Sequence, residues 1–385
     1  MISSVYIHIP FCRYICHYCD FTKFFYNEAL ATEYIDALVN EMKQNVPRGK
    51  QKVRTIYIGG GTPTSLNIAQ LTTLFNAIVD LFDINHCEEF TIEANPGDID
   101  PEKIQLLRGY GVNRFSLGVQ VFDDEMLREL GRAHTVKDVY ETVHWLKQYH
   151  YDNISIDLIY SLPHQTVDHF QHTIDEALSF DLPHYSSYSL QIEPKTIFYN
   201  RHKKGQLHRP PHEDEVEMYM RLQQSMHDKG LIAYEISNFA KPGYESKHNL
   251  TYWSNDYYYG FGAGAHGYLP GKRTGNIRPL PAYIKQAMKD GQPVLQVVPI
   301  GLKEKLEEEF FLGLRKLTGV DKKLFQERYG FSYDDVYRKQ IDELIHKGWL
   351  AENASGVHLT EQGRLFGNDV FEKFLLDEED LNHLR

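Results

Sequence analysis

Residues 6–21, YIHIPFCRYICHYCDF, join a short apolar run to a cluster of cysteines. Cys12, Cys16 and Cys19 form the pattern C-x3-C-x2-C, and the whole chain holds 4 cysteines. The apolar run predicts a first β-strand over residues 5–10, so the three thiols lie on the loop that follows it. Three thiolates at this spacing can bind three irons of a cuboidal iron–sulfur cluster and leave its fourth iron without a protein ligand.

Other interpretations of the cysteine cluster stay open when the residues alone are considered. A histidine close by, such as His17, could join the three thiolates around one zinc ion. The thiols could also serve only in packing. The remaining cysteine, Cys87, stands just before the predicted third strand and is interpreted as a packed thiol.

Composition argues against several classes of protein. The net charge of −12 disfavours a general nucleic-acid binder, because a phosphate backbone favours clustered Lys and Arg. No apolar run approaches the length that spans a bilayer. The start, MISSVYIHIPFC, lacks the basic and apolar segments of a signal peptide. We therefore expect a cytoplasmic protein with reduced cysteines and without a nucleic-acid partner.

Short β-rich runs alternate with amphipathic helical segments over the first two thirds of the chain. Repeated strand–helix units predict a parallel sheet, because right-handed crossovers place each helix over the sheet. About six units fit, short of the eight that close a full barrel. We therefore predict an α/β fold with an open, partial TIM-type (β/α)6 barrel. Its predicted strands cover residues 5–10, 55–61, 88–95, 114–120, 153–160 and 185–191.

Changes in composition divide the chain into three regions. Residues 1–235 carry the barrel, and residues 236–300 form an aromatic, glycine-rich connecting region. Residues 301–385 contain three helical segments, a predicted β-hairpin over 349–360 and a last helix over 361–375. Together these elements predict a winged-helix-like helical domain. This domain carries more acids than bases, so a cap or a partner surface is favoured over DNA binding.

A C-x3-C-x2-C loop after a first barrel strand resembles the signature of the radical S-adenosylmethionine (SAM) superfamily. The resemblance implies a [4Fe-4S] cluster whose open iron is chelated by the amino and carboxylate groups of SAM. In that superfamily an electron from the cluster cleaves the sulfonium of SAM and yields a 5′-deoxyadenosyl radical. Three cysteines are then needed and not four, because a fourth protein ligand would exclude the cofactor.

Polar residues follow or interrupt several of the predicted strands. IGGGTPT (58–64) is a glycine turn after the second strand, and glycine lets a backbone approach a ligand closely. Asp157 interrupts an apolar strand, where a carboxylate is costly unless it is paired or hydrogen-bonded. Glu93, Gln120 and Arg132 also fall near strand ends. Each alone could have a surface or capping role, but together they predict a polar ring for the ribose, adenine and carboxylate of the cofactor.

A closer resemblance rests on motifs between residues 6 and 166: YIHIPFCRYICHYCDF, YIGGGTPT, TIEANPGD, RFSLGVQVFDDEMLRELGRAH and SIDLIYSLPHQT. In this order they resemble the oxygen-independent coproporphyrinogen III oxidase family. The family pattern implies that Cys12, Cys16 and Cys19 bind the cluster. It also implies SAM contacts from Tyr6, Tyr18, Gly60, Gly61, Thr62, Glu93, Gln120, Arg132 and Asp157.

Phe21 departs from the pattern of the oxidases, which is C-x3-C-x2-C-x-C with a further cysteine at this place. The oxidases also carry an N-terminal extension, whereas Met1 to Ser4 precede the first predicted strand here. Both departures resemble the haem-chaperone (HemW-type) branch, whose members bind haem and pass it to haem-requiring acceptor proteins. The resemblance implies haem as cargo and assigns no catalytic residue. Oxidative decarboxylation of coproporphyrinogen III to protoporphyrinogen IX stays the alternative.

KHNLTYW (247–253) carries the pattern H-N-x-x-Y-W, which resembles a motif of the haem chaperones. Imidazole can be an axial ligand of haem iron, and aromatic rings supply apolar faces for a macrocycle. The resemblance implies that His248 takes part in holding haem, whereas the residue alone is equally consistent with a hydrogen-bonded structural role. His266, in YGFGAGAHGY, is interpreted as structural. An electron donor, membrane-associated clients and a homodimer are partners that the resemblance leaves open.

Overall fold

Residues 2–377 are described by a computed structural model of the chain. The strands, in chain order, are β1 (Ser4–Ile9), β2 (Phe11–Cys12), β3 (Phe24–Phe25), β4 (Thr55–Gly60), β5 (Glu89–Ala94), β6 (Arg114–Gln120), β7 (Ile154–Tyr160), β8 (His184–Ser189), β9 (Ile232–Ala233), β10 (Asn238–Ala240), β11 (Tyr258–Phe261), β12 (His266–Leu269), β13 (Lys272–Asn276), β14 (Val294–Pro299), β15 (Val320–Asp321), β16 (Leu350–Glu352) and β17 (Gly356–Leu359). The helices are α1 (Glu28–Asn45), α2 (Ile68–Leu81), α3 (Pro101–Gly109), α4 (Asp124–Glu129), α5 (Val136–Gln148), α6 (Val167–Ser179), α7 (Ile197–Lys203), α8 (His212–Asp228), α9 (Lys247–Trp253), α10 (Leu280–Asp290), α11 (Leu302–Gly313), α12 (Lys322–Tyr329), α13 (Asp334–His346), α14 (Glu361–Leu365) and α15 (Gly367–Glu372). None of these helices combines the length and the apolar character that crossing a bilayer requires.

The main sheet has 12 strands in the order β14-β13-β12-β11-β1-β4-β5-β6-β7-β8-β10-β9. Its centre is parallel, from β11 through β1 and β4 to β8. Helices α1, α2, α3, α5 and α6 are the crossovers between successive parallel strands. The sheet has two edge strands, β14 and β9, and so is open. The predicted α/β fold with a partial barrel is confirmed.

Burial on both faces explains why the predicted strands form where the sequence places them. In β7 (ISIDLIY) every position except Asp157 is buried. Strands of this kind read as continuous apolar runs, because neither face meets water. The observed bounds of β1 and β4 to β8 therefore agree with the predicted bounds to within two residues.

Residues 236–300, predicted as a connecting region, contribute strands to the main sheet. β11 pairs in parallel with β1, and the register sets Tyr258 opposite Ser4. β12, β13 and β14 continue the sheet as an antiparallel meander, and β10 extends its other side. Close backbone approach requires glycine here, since a Cβ at Gly260 would overlap the carbonyl oxygen of His266. The region thus packs into the barrel's own core.

A second hydrophobic core lies in the C-terminal region, apart from the core of the barrel. Helices α11, α12 and α13 contribute to it, and β15, β17 and β16 form a small antiparallel sheet. The predicted last helix is two helices, α14 and α15, because Phe366 leaves helical geometry and stacks on Trp349 with ring centroids 4.9 Å apart. Residues 378–385 of the predicted domain lie outside the described part of the chain.

A buried carboxylate connects the first helix to the added strands. Glu41, on α1, accepts hydrogen bonds from the Gly262 N–H (2.9 Å) and the Asn276 side-chain amide (2.6 Å). The Tyr283 hydroxyl donates a third. Burial raises the pKa of Glu41 from 4.5 to about 7, and the hydrogen bonds oppose this rise. Glu41 and Tyr34, whose hydroxyl accepts from the Ala263 N–H at 3.1 Å, therefore hold the turn between β11 and β12 against α1.

The free energy of unfolding is expected to carry a contribution from Glu41 that falls as the pH rises from 4.5 to about 7. Below this range the carboxyl is protonated in both states, whereas within it mainly the unfolded chain loses the proton, so native stability declines. Glu41→Gln should remove this slope, a difference of roughly 1–3 kcal/mol across the range. Denaturant titrations at several pH values measure it, with Glu33→Gln on the exposed face of α1 as control. Identical pH profiles for wild type and Glu41→Gln would contradict it.

Candidate functional site

A cavity of about 560 Å³ opens at the carboxyl edge of the parallel strands. The cysteine loop, which leaves β1 and leads to α1, forms one side of it, and the ends of β4 to β8 form the rest. The topology therefore brings most of the predicted site residues to one place. Those that line the cavity are Cys12, Cys16, Cys19, Tyr18, Gly60, Gly61, Thr62, Glu93, Gln120, Arg132 and Asp157.

The cysteine loop presents free thiols to this cavity. Cys12 is buried at the end of β2, and its sulfur accepts a hydrogen bond from the Thr62 hydroxyl at 3.6 Å. The Arg132 guanidinium donates from Nη1 to the sulfur of Cys16 at 3.4 Å. Burial raises the pKa of Cys12 to about 11, so this thiol is protonated at neutral pH when no metal is bound. An iron held by Cys12 would have to displace that proton, because the thiolate is the form that binds a metal.

The donor set fits a cluster better than a single ion. Among residues 2–377, no three His, Cys, Asp or Glu side chains converge closely enough to hold one metal ion. His17, the candidate fourth zinc ligand, has its Nδ1 2.7 Å from the Glu129 carbonyl oxygen and does not line the cavity. Thiols spread around a wide cavity suit a cuboidal cluster, in which each sulfur binds a different iron.

The glycine turn after β4 brings the backbone itself to the wall of the cavity. A Cβ at Gly61 would stand 2.8 Å from the Phe11 carbonyl oxygen and 3.0 Å from the Cys12 sulfur. Gly60 has a φ of +115°, and a Cβ there would overlap the imidazole of His8. Only glycine fits at these two positions without a shift of the neighbouring backbone or ring.

Two carboxylates lie on the strands that flank β6: Glu93 is near the end of β5, and Asp157 is in the middle of β7. Glu93 accepts hydrogen bonds from the Tyr57 hydroxyl (2.7 Å) and the Gly60 N–H (2.9 Å). Asp157 is held by the Ser116 hydroxyl, which lies 3.1 and 2.9 Å from its two oxygens. Burial raises the pKa of both carboxyls, and these hydrogen bonds counteract the rise. A carboxylate has about four acceptor sites, so each can still accept from a ligand hydroxyl or amine.

Arg132 joins the cysteine loop to the strand ends. Its Nη2 donates to the Asn95 side-chain oxygen at 2.6 Å, and Nδ2 of Asn95 donates to the Thr62 hydroxyl at 2.8 Å. Nε of Arg132 is buried and has no hydrogen-bond partner within residues 2–377. Gln120 reaches the cavity through a register shift in β6 and a positive φ of 72°. Asn95 is a site residue that the prediction missed, although its place directly after β5 signals it.

The two predicted tyrosines occupy different places. Tyr18 lines the cavity beside the cysteines. Tyr6, in β1, lines a neighbouring cavity, and its hydroxyl donates to Nδ1 of His8 at 2.8 Å. The Nε2–H of that imidazole donates to the Thr22 carbonyl oxygen at 2.8 Å, which fixes the tautomer. Tyr6 is therefore the predicted SAM contact that stands apart from the others.

His248 lies on α9 and is fully buried. Its Nδ1 is 2.8 Å from the Thr55 hydroxyl, and its Nε2 is 2.8 Å from the Tyr252 hydroxyl. The ring stacks on Tyr57, with centroids 5.1 Å apart, and Tyr57 in turn donates to Glu93. Burial lowers the pKa of the imidazole to about 3, so the ring is neutral. Both ring nitrogens are engaged in this conformation, and the role of His248 in holding haem stays a prediction.

Comparison with known proteins finds relatives that match nearly the full length of the chain. Residues 6–177 match the radical SAM superfamily, and residues 300–366 match the HemN C-terminal domain. The chain is 49% identical over 375 residues to the heme chaperone HemW of Bacillus subtilis (strain 168), which covers 97% of this chain and 99% of the relative. It is 32% identical over 377 residues to the heme chaperone HemW of Escherichia coli (strain K12), with 97% and 98% covered.

A solved structure shares the architecture. Coproporphyrinogen III oxidase (HemN) from Escherichia coli, described as a radical SAM enzyme, superposes with a TM-score of 0.85 over 97% of this chain and 90% of that chain. The two sequences are 22% identical over this match. At that identity the likeness shows a common fold and carries no statement about activity.

Proposed function

Because this chain belongs to the radical SAM superfamily and, within it, to the family of the HemW haem chaperones, we propose that it binds haem and transfers it to haem-requiring acceptor proteins. The observation that carries the proposal is the identity to chaperones of that name along nearly the full length of both chains. Haem is the cargo here, so the protein must both hold it and release it.

Membership of the superfamily implies a [4Fe-4S] cluster and SAM as cofactors, and the residues of the large cavity fit both. Cys12, Cys16 and Cys19 would hold the cluster. When bound, the cluster supplies one-electron chemistry and an iron that is open to a small ligand. Gly61 lies on the cavity wall, where a side chain would meet the Phe11 carbonyl oxygen, so only glycine lets the turn after β4 pack this closely against the cysteine loop.

The polar ring supports a division of roles toward SAM. Arg132 can donate to a carboxylate, since its buried Nε–H has no hydrogen-bond partner among residues 2–377. Glu93 and Asp157 can accept from amino and ribose hydroxyl groups. The full set of proposed SAM contacts is Tyr6, Tyr18, Gly60, Gly61, Thr62, Glu93, Gln120, Arg132 and Asp157.

Phe21 supports a chaperone over a coproporphyrinogen oxidase. The ring stands at the rim shared by the two cavities and is 61% exposed, where the pattern of the oxidases has a cysteine. A phenyl ring can pack against a porphyrin, but it has no group that ionises or exchanges a proton. We therefore propose no catalytic residue in this chain.

The proposed partners follow from the cargo. Acceptor proteins that require haem, membrane-associated clients among them, would receive it, and an electron donor would serve the cluster. A second copy of the chain, forming a homodimer, is a further proposed partner. We propose a cytoplasmic location, because a cluster ligated by thiolates needs a compartment that keeps cysteines reduced.

His248 is proposed to support haem binding from within the fold. Its contact with Thr55 and its stacking on Tyr57 fix α9 against β4, and Tyr57 connects it to Glu93. Loss of the imidazole would therefore displace residues in the walls of both cavities. In the present conformation the ring itself has no free nitrogen to bind iron.

Haem titration of the reconstituted full-length protein tests the proposal. Stoichiometric binding, seen as a saturable absorption change, is expected, followed by restored activity when a haem-depleted haem enzyme is added. The same preparation, incubated anaerobically with coproporphyrinogen III, SAM and a reductant, is expected to form no protoporphyrinogen IX. Catalytic turnover of coproporphyrinogen III without haem binding would show that the protein is an oxidase and not a haem chaperone.

A further inference from the structure

A second cavity, of about 350 Å³, adjoins the cluster site and is not used by the cluster. The two cavities share Asp20, Phe21, Gly60 and Glu93, so a molecule in one lies beside the other. Its volume falls within the roughly 300–1,000 Å³ of cofactor and small-molecule pockets. The outer wall is formed by the glycine-rich turn between β11 and β12 and by the start of β12.

Two histidines line this cavity, and they differ in what their rings can do. His8 is buried, and both of its nitrogens are engaged, by the Tyr6 hydroxyl and the Thr22 carbonyl oxygen. His266, the first residue of β12, is exposed, and within residues 2–377 its ring has no hydrogen-bond partner. It lies over Gly275 of β13, where a Cβ would stand 3.3 Å from its Cε1.

The surroundings of His266 favour a neutral imidazole, the form that binds iron. Partial burial lowers its pKa, and the positive charges of Arg278 and Arg273 lower it further. A free ring nitrogen that faces a cavity is the donor that a haem iron takes as axial ligand. His248 lacks this property, because it is fully buried and hydrogen-bonded at both nitrogens.

Aromatic rings, the carboxyl groups of Asp20 and Glu93 and one guanidinium also line the cavity. Phe21 lines it from the cysteine loop, Tyr252 from α9 and Tyr258 from β11. Arg278 is exposed on the rim and forms no ion pair within the described residues. An unpaired guanidinium is suited to a carboxylate, which it can bind with two parallel hydrogen bonds.

We infer that haem binds in this second cavity, with His266 as the ligand of its iron, Phe21 against the macrocycle and Arg278 paired with a propionate. The inference rests on the proposed function, since the cargo it places is haem. A neutral ring nitrogen gives its lone pair to the iron, so ligation needs no proton or electron. The cavity encloses part of a macrocycle and leaves the rest accessible, as transfer to an acceptor requires.

Haem titrations of the reconstituted full-length variants test the site. His266→Ala is expected to lose the absorption signature of histidine-ligated haem and at least about tenfold in affinity, equivalent to about 1.4 kcal/mol. Free imidazole should restore the signature in that variant. Arg278→Ala should weaken affinity and keep the signature. His144→Ala, an exposed histidine on α5 remote from the cavity, should match wild type.

The outcomes of these titrations distinguish a failure of the proposed haem site from a failure of the proposed function. If wild type binds haem and His266→Ala keeps both signature and affinity, the site is wrong and the proposed function stands. The same holds if His248→Ala, with an unchanged melting temperature, is the variant that loses the signature. If wild type binds no haem, the proposed function fails and the site fails with it.

Discussion

Cys16→Ser is expected to reduce the iron and sulfide content of the reconstituted protein to background and to abolish SAM binding, while the chain stays folded. Cys16 is only partly buried, on the loop between β2 and β3, and belongs to none of the hydrophobic cores. Its replacement removes the thiolate that would hold one iron and the sulfur that accepts from Arg132. The SAM site then loses its iron and one of the contacts that orient its arginine.

Cys87→Ser is the matched control for this loss. Cys87 is the fourth cysteine, its thiol donates to the Glu89 carbonyl oxygen at 3.2 Å, and it does not line the cavity. Burial raises its pKa to about 12, so it is a poor thiolate. Iron and sulfide analysis, electron paramagnetic resonance of the reduced protein and calorimetric titration with SAM provide the measurements. A Cys16→Ser protein with wild-type iron content and SAM affinity would refute the three-cysteine cluster.

The parallel strands of the main sheet could be predicted from the sequence, whereas the strands that extend the sheet on both sides could not. β6 (RFSLGVQ) was predicted at its observed bounds, because its apolar residues alternate with the period of two that is typical of a strand. β10 to β14 were not predicted as part of the sheet. They are short, and their places depend on long-range pairing that no local pattern encodes. β10 pairs with β8, whereas β12, β13 and β14 join the sheet only through the parallel pairing of β11 with β1.

In the candidate site, too, some residues could be placed from the sequence and others could not. Glu93 and Gln120 could be placed from the sequence, because the carboxyl ends of parallel strands meet at one edge of a sheet. The surroundings of His248 could not, since its two hydrogen bonds reach Thr55 in β4 and Tyr252 on its own helix. A motif indicates that a histidine matters, whereas tertiary contacts decide whether its nitrogens are free.

The glycine turn is the second place where one substitution should have a large effect. Gly61→Ala places a Cβ 2.8 Å from the Phe11 carbonyl oxygen and 3.0 Å from both the Cys12 sulfur and the Ile9 carbonyl oxygen. These are two backbone atoms and the sulfur of a proposed cluster ligand, and the Gly61 N–H already donates to the Ile9 carbonyl oxygen at 2.9 Å. The chain can relieve the overlap only by moving the start of the cysteine loop away from β4. We expect a loss of roughly 1–3 kcal/mol in the free energy of unfolding.

The functional consequence of Gly61→Ala should exceed the loss of stability, because the displaced atoms include Cys12 and the wall that a cofactor would approach. Cluster content after reconstitution should fall well below wild type, and SAM affinity should fall further in the fraction that holds a cluster. Gly109→Ala, at the end of α3, is the matched control, since a Cβ there meets nothing within 4 Å and its φ is not positive. If both alanine variants retained wild-type cluster content and SAM affinity, the turn would not be the wall of the cofactor site. If Gly61→Ala alone lost them at unchanged melting temperature, close backbone approach at this residue would be a requirement of binding and not of folding.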